Sequence, residues 1–132
     1  MKSPTLLLIA SVLLTAAVTS ADEMKLEAKL LEVEGSGVHG DVMLVDLPVT
    51  GTLAVVNVTG LSPDQRYLVV RAGSGSCDIE SYEEDDVIAD VIANPSGRAT
   101  ATLELDAEVD EIQTVSVWTS EDALVACAVT RP

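Results

Sequence analysis

The feature that most constrains this chain is a period of two. In Lys25–Val33, Leu26, Ala28 and Leu30 alternate with Lys25, Glu27 and Lys29. Val38, Val42 and Leu44 are inward candidates in Val38–Leu47, as are Ala54, Val56 and Val58 in the Val-rich run Leu53–Thr59. Similar runs recur at Arg66–Ala72, Val87–Ala93, Ala99–Leu105, Ile112–Trp118 and Leu124–Thr130. Turn-forming residues separate them, including Gly35-Ser36-Gly37, Pro48–Gly51, Gly60–Asp64 and Asn94-Pro95-Ser96-Gly97. Alternation places successive side chains on opposite sheet faces, so about eight short strands with regular turns predict a β-sandwich or Greek-key barrel. Leu103–Ile112, where acids alternate loosely with apolar residues, leaves room for a short helical turn.

The first residues follow another rule. Met1-Lys2 opens a weakly basic start, Leu6–Val18 is almost continuously apolar, and the small residues of Val18-Thr19-Ser20-Ala21 precede Asp22-Glu23. This predicts a secretory signal peptide over 1–21 and one domain over 22–132. The apolar run is short for a bilayer span, and no second long apolar segment follows it. An uncleaved anchor is the alternative. The expected location is secreted or periplasmic, with no membrane insertion once the leader is removed.

Loss of Lys2 with the leader takes the formal charge from -15 to -16, since every acid lies beyond it. Such a surface repels phosphates, which argues against nucleic acid and anionic membranes as partners. Two cysteines in a small exported domain predict one disulfide. Joining Cys77 to Cys127 closes a loop worth about 4 kcal/mol in the chain-entropy model.

Asp78, Glu80, Glu83, Glu84, Asp85 and Asp86 form a dense acidic stretch around Tyr82. It lacks the calcium-hand pattern and a glycine at its bend, so it reads as a solvated charge run, at most a weak divalent-cation loop. Asp106, Glu108, Asp110 and Glu111 read the same way. Asn57-Val58-Thr59 is a glycosylation sequon, relevant only in a eukaryotic source. His39, beside glycine, reads as exposed rather than ligating. Gly73-Ser74-Gly75-Ser76 is followed by neither helix nor lysine and is no phosphate loop. Leu53 and Val55 look outward and could mark a contact face.

With the strands in order, several patterns resemble the copper/zinc superoxide dismutase family: Gly37-Val38-His39-Gly40-Asp41-Val42, Val58-Thr59-Gly60-Leu61-Ser62-Pro63, Ile92–Ala99 and Leu124-Val125-Ala126-Cys127-Ala128-Val129. The resemblance spans nearly all of 22–132. It implies an eight-stranded Greek-key barrel and a Cys77–Cys127 disulfide. It also places copper-ligand positions at Val69 and Arg71 and at or next to Trp118. The zinc aspartate falls on Val87, beside Asp86, and the anion-guiding arginine on Leu124. The charged loop that steers superoxide shrinks to Thr119–Ala123.

Chemistry then separates this chain from that activity. Type-2 copper needs several imidazoles and zinc needs N or S ligands, but the chain has one histidine and a disulfide consumes both cysteines. The surface charge would repel superoxide. The expected function is therefore a secreted, non-catalytic scaffold or binding module without cofactor, engaging an unknown protein or surface partner. The alternative is a metal-linked role, through residual dismutation or weak cation binding by the acidic loop. Val69 is expected to fill core, and Arg71 to pair with an acid such as Asp78.

Overall fold

The computed structural model describes residues 25–130, so the predicted leader over 1–21 lies outside the described residues. Eight antiparallel strands follow the alternation: β1 Lys25–Glu32, β2 His39–Asp46, β3 Thr52–Thr59, β4 Arg66–Ala72, β5 Val87–Ile92, β6 Ala99–Leu105, β7 Thr114–Thr119 and β8 Leu124–Val129. They form one sheet in the order β5-β4-β7-β8-β1-β2-β3-β6, curled until its two edges, β5 and β6, approach each other. The result is a nearly closed, barrel-like sheet. Of the short helical turn allowed within Leu103–Ile112, one 3-10 turn forms, at Val109–Glu111. Among the described residues no helix is long and apolar enough to cross a membrane.

Inward positions are those the period predicts. Leu30, Val42, Leu44, Ala54, Val56, Val58, Val69, Val115 and Val117 are buried together with Ala126 and Ala128. With no phenylalanine, the barrel is filled mainly by Val, Leu and Ala. The β3–β4 and β6–β7 connections cross its opposite ends, where Leu61 and the pair Val109 and Ile112 join the core. Leu61 is held by the β5–β6 turn, its N–H donating to the Gly97 carbonyl at 3.0 Å. Gly97 has φ +76°, and a Cβ there would lie 2.5 Å from the Leu61 carbonyl oxygen, so only glycine fits.

β1 is shared between two neighbours. It pairs with β2 from Lys25 to Leu30, but with β8 only at Leu31 and Glu32. Two ladders also slip by a residue. Val69 and Val70 of β4 face Ala89 and Val87, leaving Ile88 extra on β5, and Val125 is extra on β8 opposite the Val117–Trp118 step. Such bulges bend a strand and re-aim its side chains.

Candidate functional site

β4 and β7 lie side by side, with Leu68 opposite Trp118 and Val70 opposite Ser116. Tyr67 and Val69 point into the barrel, as do Val115 and Val117. The alternate positions, Val70, Ser116 and Trp118, should then be wet, but all three are buried. Their cover is the connection from Gly73 to Asp86, which runs back over the outer face of these strands.

Two ties hold that cover. Cys77 is bonded to Cys127 of β8, with the Cα atoms 6.0 Å apart. The Tyr82 ring meets Trp118 edge-on, centroids 4.9 Å apart, and its hydroxyl donates to Asp122 Oδ1 at 2.6 Å. That hydrogen bond is the main reason the Tyr82 hydroxyl is held protonated above the usual phenol range. Beneath them Trp118 Nε1–H donates to Ser116 Oγ at 2.9 Å, and Ser116 Oγ–H to the Val70 carbonyl at 3.4 Å. The polar side-chain atoms of Trp118 and Ser116 are thus both occupied. Thr114 Oγ1, at the start of β7, is buried without a partner.

Beside the cover lies a hollow of about 610 Å³. Leu68, Val87 and Trp118 contribute its apolar wall, and Glu80, Glu84, Asp90 and Asp122 its acidic rim. Arg66 is the cation that lines it. The Arg66 guanidinium grips Asp90 with two nitrogens, Nε donating to Oδ1 at 2.7 Å and Nη2 to Oδ2. This pairing holds the Asp90 carboxyl below the usual carboxylate range. Both side chains stay about half exposed, so the pair orients the rim and contributes little to stability.

The residues singled out by sequence are scattered. Val69 is in the barrel core. Arg71 lines a separate depression with Asp86, Asp106 and Glu111, and Trp118 lies under the cover. Val69, Arg71 and Trp118 therefore do not converge, and on the outer face β4 offers Leu68 and Val70 instead. Arg71 also does not pair with Asp78. Asp78 belongs to a local turn in which its N–H donates to Ser76 Oγ at 3.1 Å, while Arg71 faces the other end of the same connection.

The six acids of 78–86 diverge as well. Glu80 and Glu84 face the hollow, Asp86 faces the depression around Arg71, and Glu84–Asp86 form one 3-10 turn. Among the described residues no three His, Cys, Asp or Glu side chains gather closely enough to hold a metal ion. His39 is exposed, with Nδ1 3.1 Å from the Gly37 carbonyl and Nε2 2.9 Å from Thr59 Oγ1. Asn57 is spanned by its neighbours: its amide donates to Asp41 Oδ1 at 3.2 Å and accepts from Thr100 Oγ1 at 2.9 Å.

The second acidic run is not simply solvated. Glu108 Oε2 accepts from the Gly51 N–H at 2.8 Å and from Thr50 Oγ1 at 3.3 Å, and the Glu108 N–H donates to Glu111 Oε1 at 2.7 Å. Glu108 thus ties the β2–β3 turn to the β6–β7 crossover. Sequence reasoning missed it, as it missed the Arg66–Asp90 and Tyr82–Asp122 pairs. Strand parity gave a signal for Arg66 alone, which shares the outward phase of Leu68.

The sequence matches no protein-family model and no curated protein.

Proposed function

We propose that this chain is an exported, non-catalytic scaffold or binding module of the copper/zinc superoxide dismutase type, keeping the barrel and disulfide of that family without its metal chemistry. The observation that carries the reading is Trp118. At or next to the β7 position where the resemblance puts a copper ligand, an indole lies sealed beneath Tyr82, its one N–H committed to Ser116. Indole N–H is a donor only and cannot bind a metal as imidazole does.

Other features support the same reading. Joining the facing edges β5 and β6 gives the ring β1-β2-β3-β6-β5-β4-β7-β8, in which β3–β4 and β6–β7 cross over as Greek-key connections do. The disulfide fastens the connection after β4 to β8. It is consistent with an extracytoplasmic location, where such bonds persist. The lone His39 sits on β2, in a different part of the sheet from Trp118, and cannot assemble the imidazole set that type-2 copper needs.

The test is copper and zinc titration of the oxidised protein, followed by a dismutation assay. The expected result is no stoichiometric copper and no rate above buffer. One tightly held copper per chain, with dismutation near the diffusional ceiling, would overturn the reading.

A further inference from the structure

Among the described residues, the sheet made by β1, β2, β3 and β6 is covered on its barrel side only. Its solvent side carries an apolar centre, the half-buried Met43, Val45, Leu53 and Val55. Ladder register sorts this face into rows running across the strands. One row reads Lys25, Val45, Leu53, Glu104 from β1 to β6. The next reads Glu27, Met43, Val55, Thr102. A third begins with Lys29 and Asp41.

Each row is polar at its ends and, in the first two, apolar in the middle. The first also has opposite charges at its two ends. We propose that this face is the contact surface between two copies of this chain, related by a two-fold axis that runs parallel to the strands midway between β2 and β3. That operation lays β1 of one copy over β6 of the other and leaves each row facing itself. Val45 then meets Leu53 of the second copy, Met43 meets Val55, and Lys25 meets Glu104, each contact occurring twice. A two-fold axis across the strands would instead set Lys25 over Lys29 and Val45 over Asp41. Charge and polarity therefore select one orientation.

Charge also selects the occupant. The chain carries -15 overall, so two copies repel over most of their surfaces. On this face Lys25 and Lys29 nearly balance Glu27, Asp41 and Glu104. Four strands at ~4.8 Å and three rows at ~6.8 Å make a small footprint, below the ~800 Å² per partner of a standard interface. A footprint of that size belongs to a weak, transient association.

Sedimentation velocity over a concentration series tests this, using the full chain recovered after export with its disulfide formed. Wild type should pass from monomer to dimer over that range. Val55→Glu, on the solvent side, should weaken the dimer by more than about tenfold while Trp118 fluorescence stays native. Lys25→Glu and Glu104→Lys, both at exposed positions, should each weaken it. The double exchange Lys25→Glu/Glu104→Lys should restore it. A wild type that stays monomeric at every concentration would overturn the proposal, as would a dimer indifferent to Val55→Glu. A double exchange no better than either single change would overturn the orientation, and the pairing with it.

Discussion

β3 and β7 are both interior strands of the same sheet, yet β3 hides every second side chain and β7 hides five in succession, Thr114 to Trp118. The difference lies in what covers each outer face. Nothing in the described chain lies over β3, so Leu53, Val55 and Asn57 remain partly open. Over β7 the 73–86 connection is held down by a disulfide and a tyrosine, giving the barrel a second, smaller apolar layer outside the first. One sheet thus has a stretch with one buried face and a stretch with two, and the second depends on ties rather than on strand pairing.

Cutting the strongest tie should erase the contrast most completely. Replacing Cys77 and Cys127 by serine should cost about 4 kcal/mol in the chain-entropy model, read as a lower urea midpoint. Removing the centre of the outer layer comes next. Trp118→Ala should cost about 3 kcal/mol, at the low end for a large aromatic because the overlying connection can settle into the gap. A finer comparison uses one residue type on the outer faces of both regions. Val70→Ala should cost about 2 kcal/mol and Val55→Ala less than about 0.5 kcal/mol, measured at dilution. Equal losses would mean that the outer layer is not a packed layer.

The smallest effect is that of pH on the cover, followed through the single tryptophan. Asp90, whose carboxyl is held below its usual range by Arg66, contributes stability that is present above about pH 4 and lost as pH falls through its folded pKa. The Tyr82 hydroxyl is held above its usual range, so its tie is complete below about pH 10 and lost as pH rises through its folded pKa. Trp118 emission should stay constant between those limits and change beyond each. A transition near neutrality would show that another group controls the cover.

The same contrast explains what could be read in advance. Where one face is wet, as in β1, β2, β3 and β6, alternation gave inward residues and strand limits nearly to the residue. Arg66–Ala72 was also legible as a strand, because Tyr67 and Val69 keep the inward phase. That Val70 and Trp118 would be dry was not legible. A strand buried on both sides loses its period, and the covering segment is itself polar and acidic. The Cys77–Cys127 pairing followed from count and compartment. The scatter of Val69, Arg71 and Trp118 did not, because one position of error in a strand moves a side chain to the opposite face. Glu108 was read as part of a charge run, since no local pattern says that a carboxylate will reach a turn more than fifty positions earlier.

The divided pairing of β1 bears on how the chain is made. Its ladder with β2 can form as soon as the first hairpin leaves the ribosome. Its other partner is β8, and the residue facing Leu31 is Cys127. Translation at ~5–20 residues per second separates those two positions by on the order of 5–20 s. Throughout that interval β1 presents an open hydrogen-bonding edge, and over its second half Cys77 is a thiol with no partner in its own chain. Aggregation through the edge and capture of the thiol by another molecule are both hazards of that waiting period. Arrival of the last strand ends the two hazards together, because β8 carries both the missing edge and the missing sulfur.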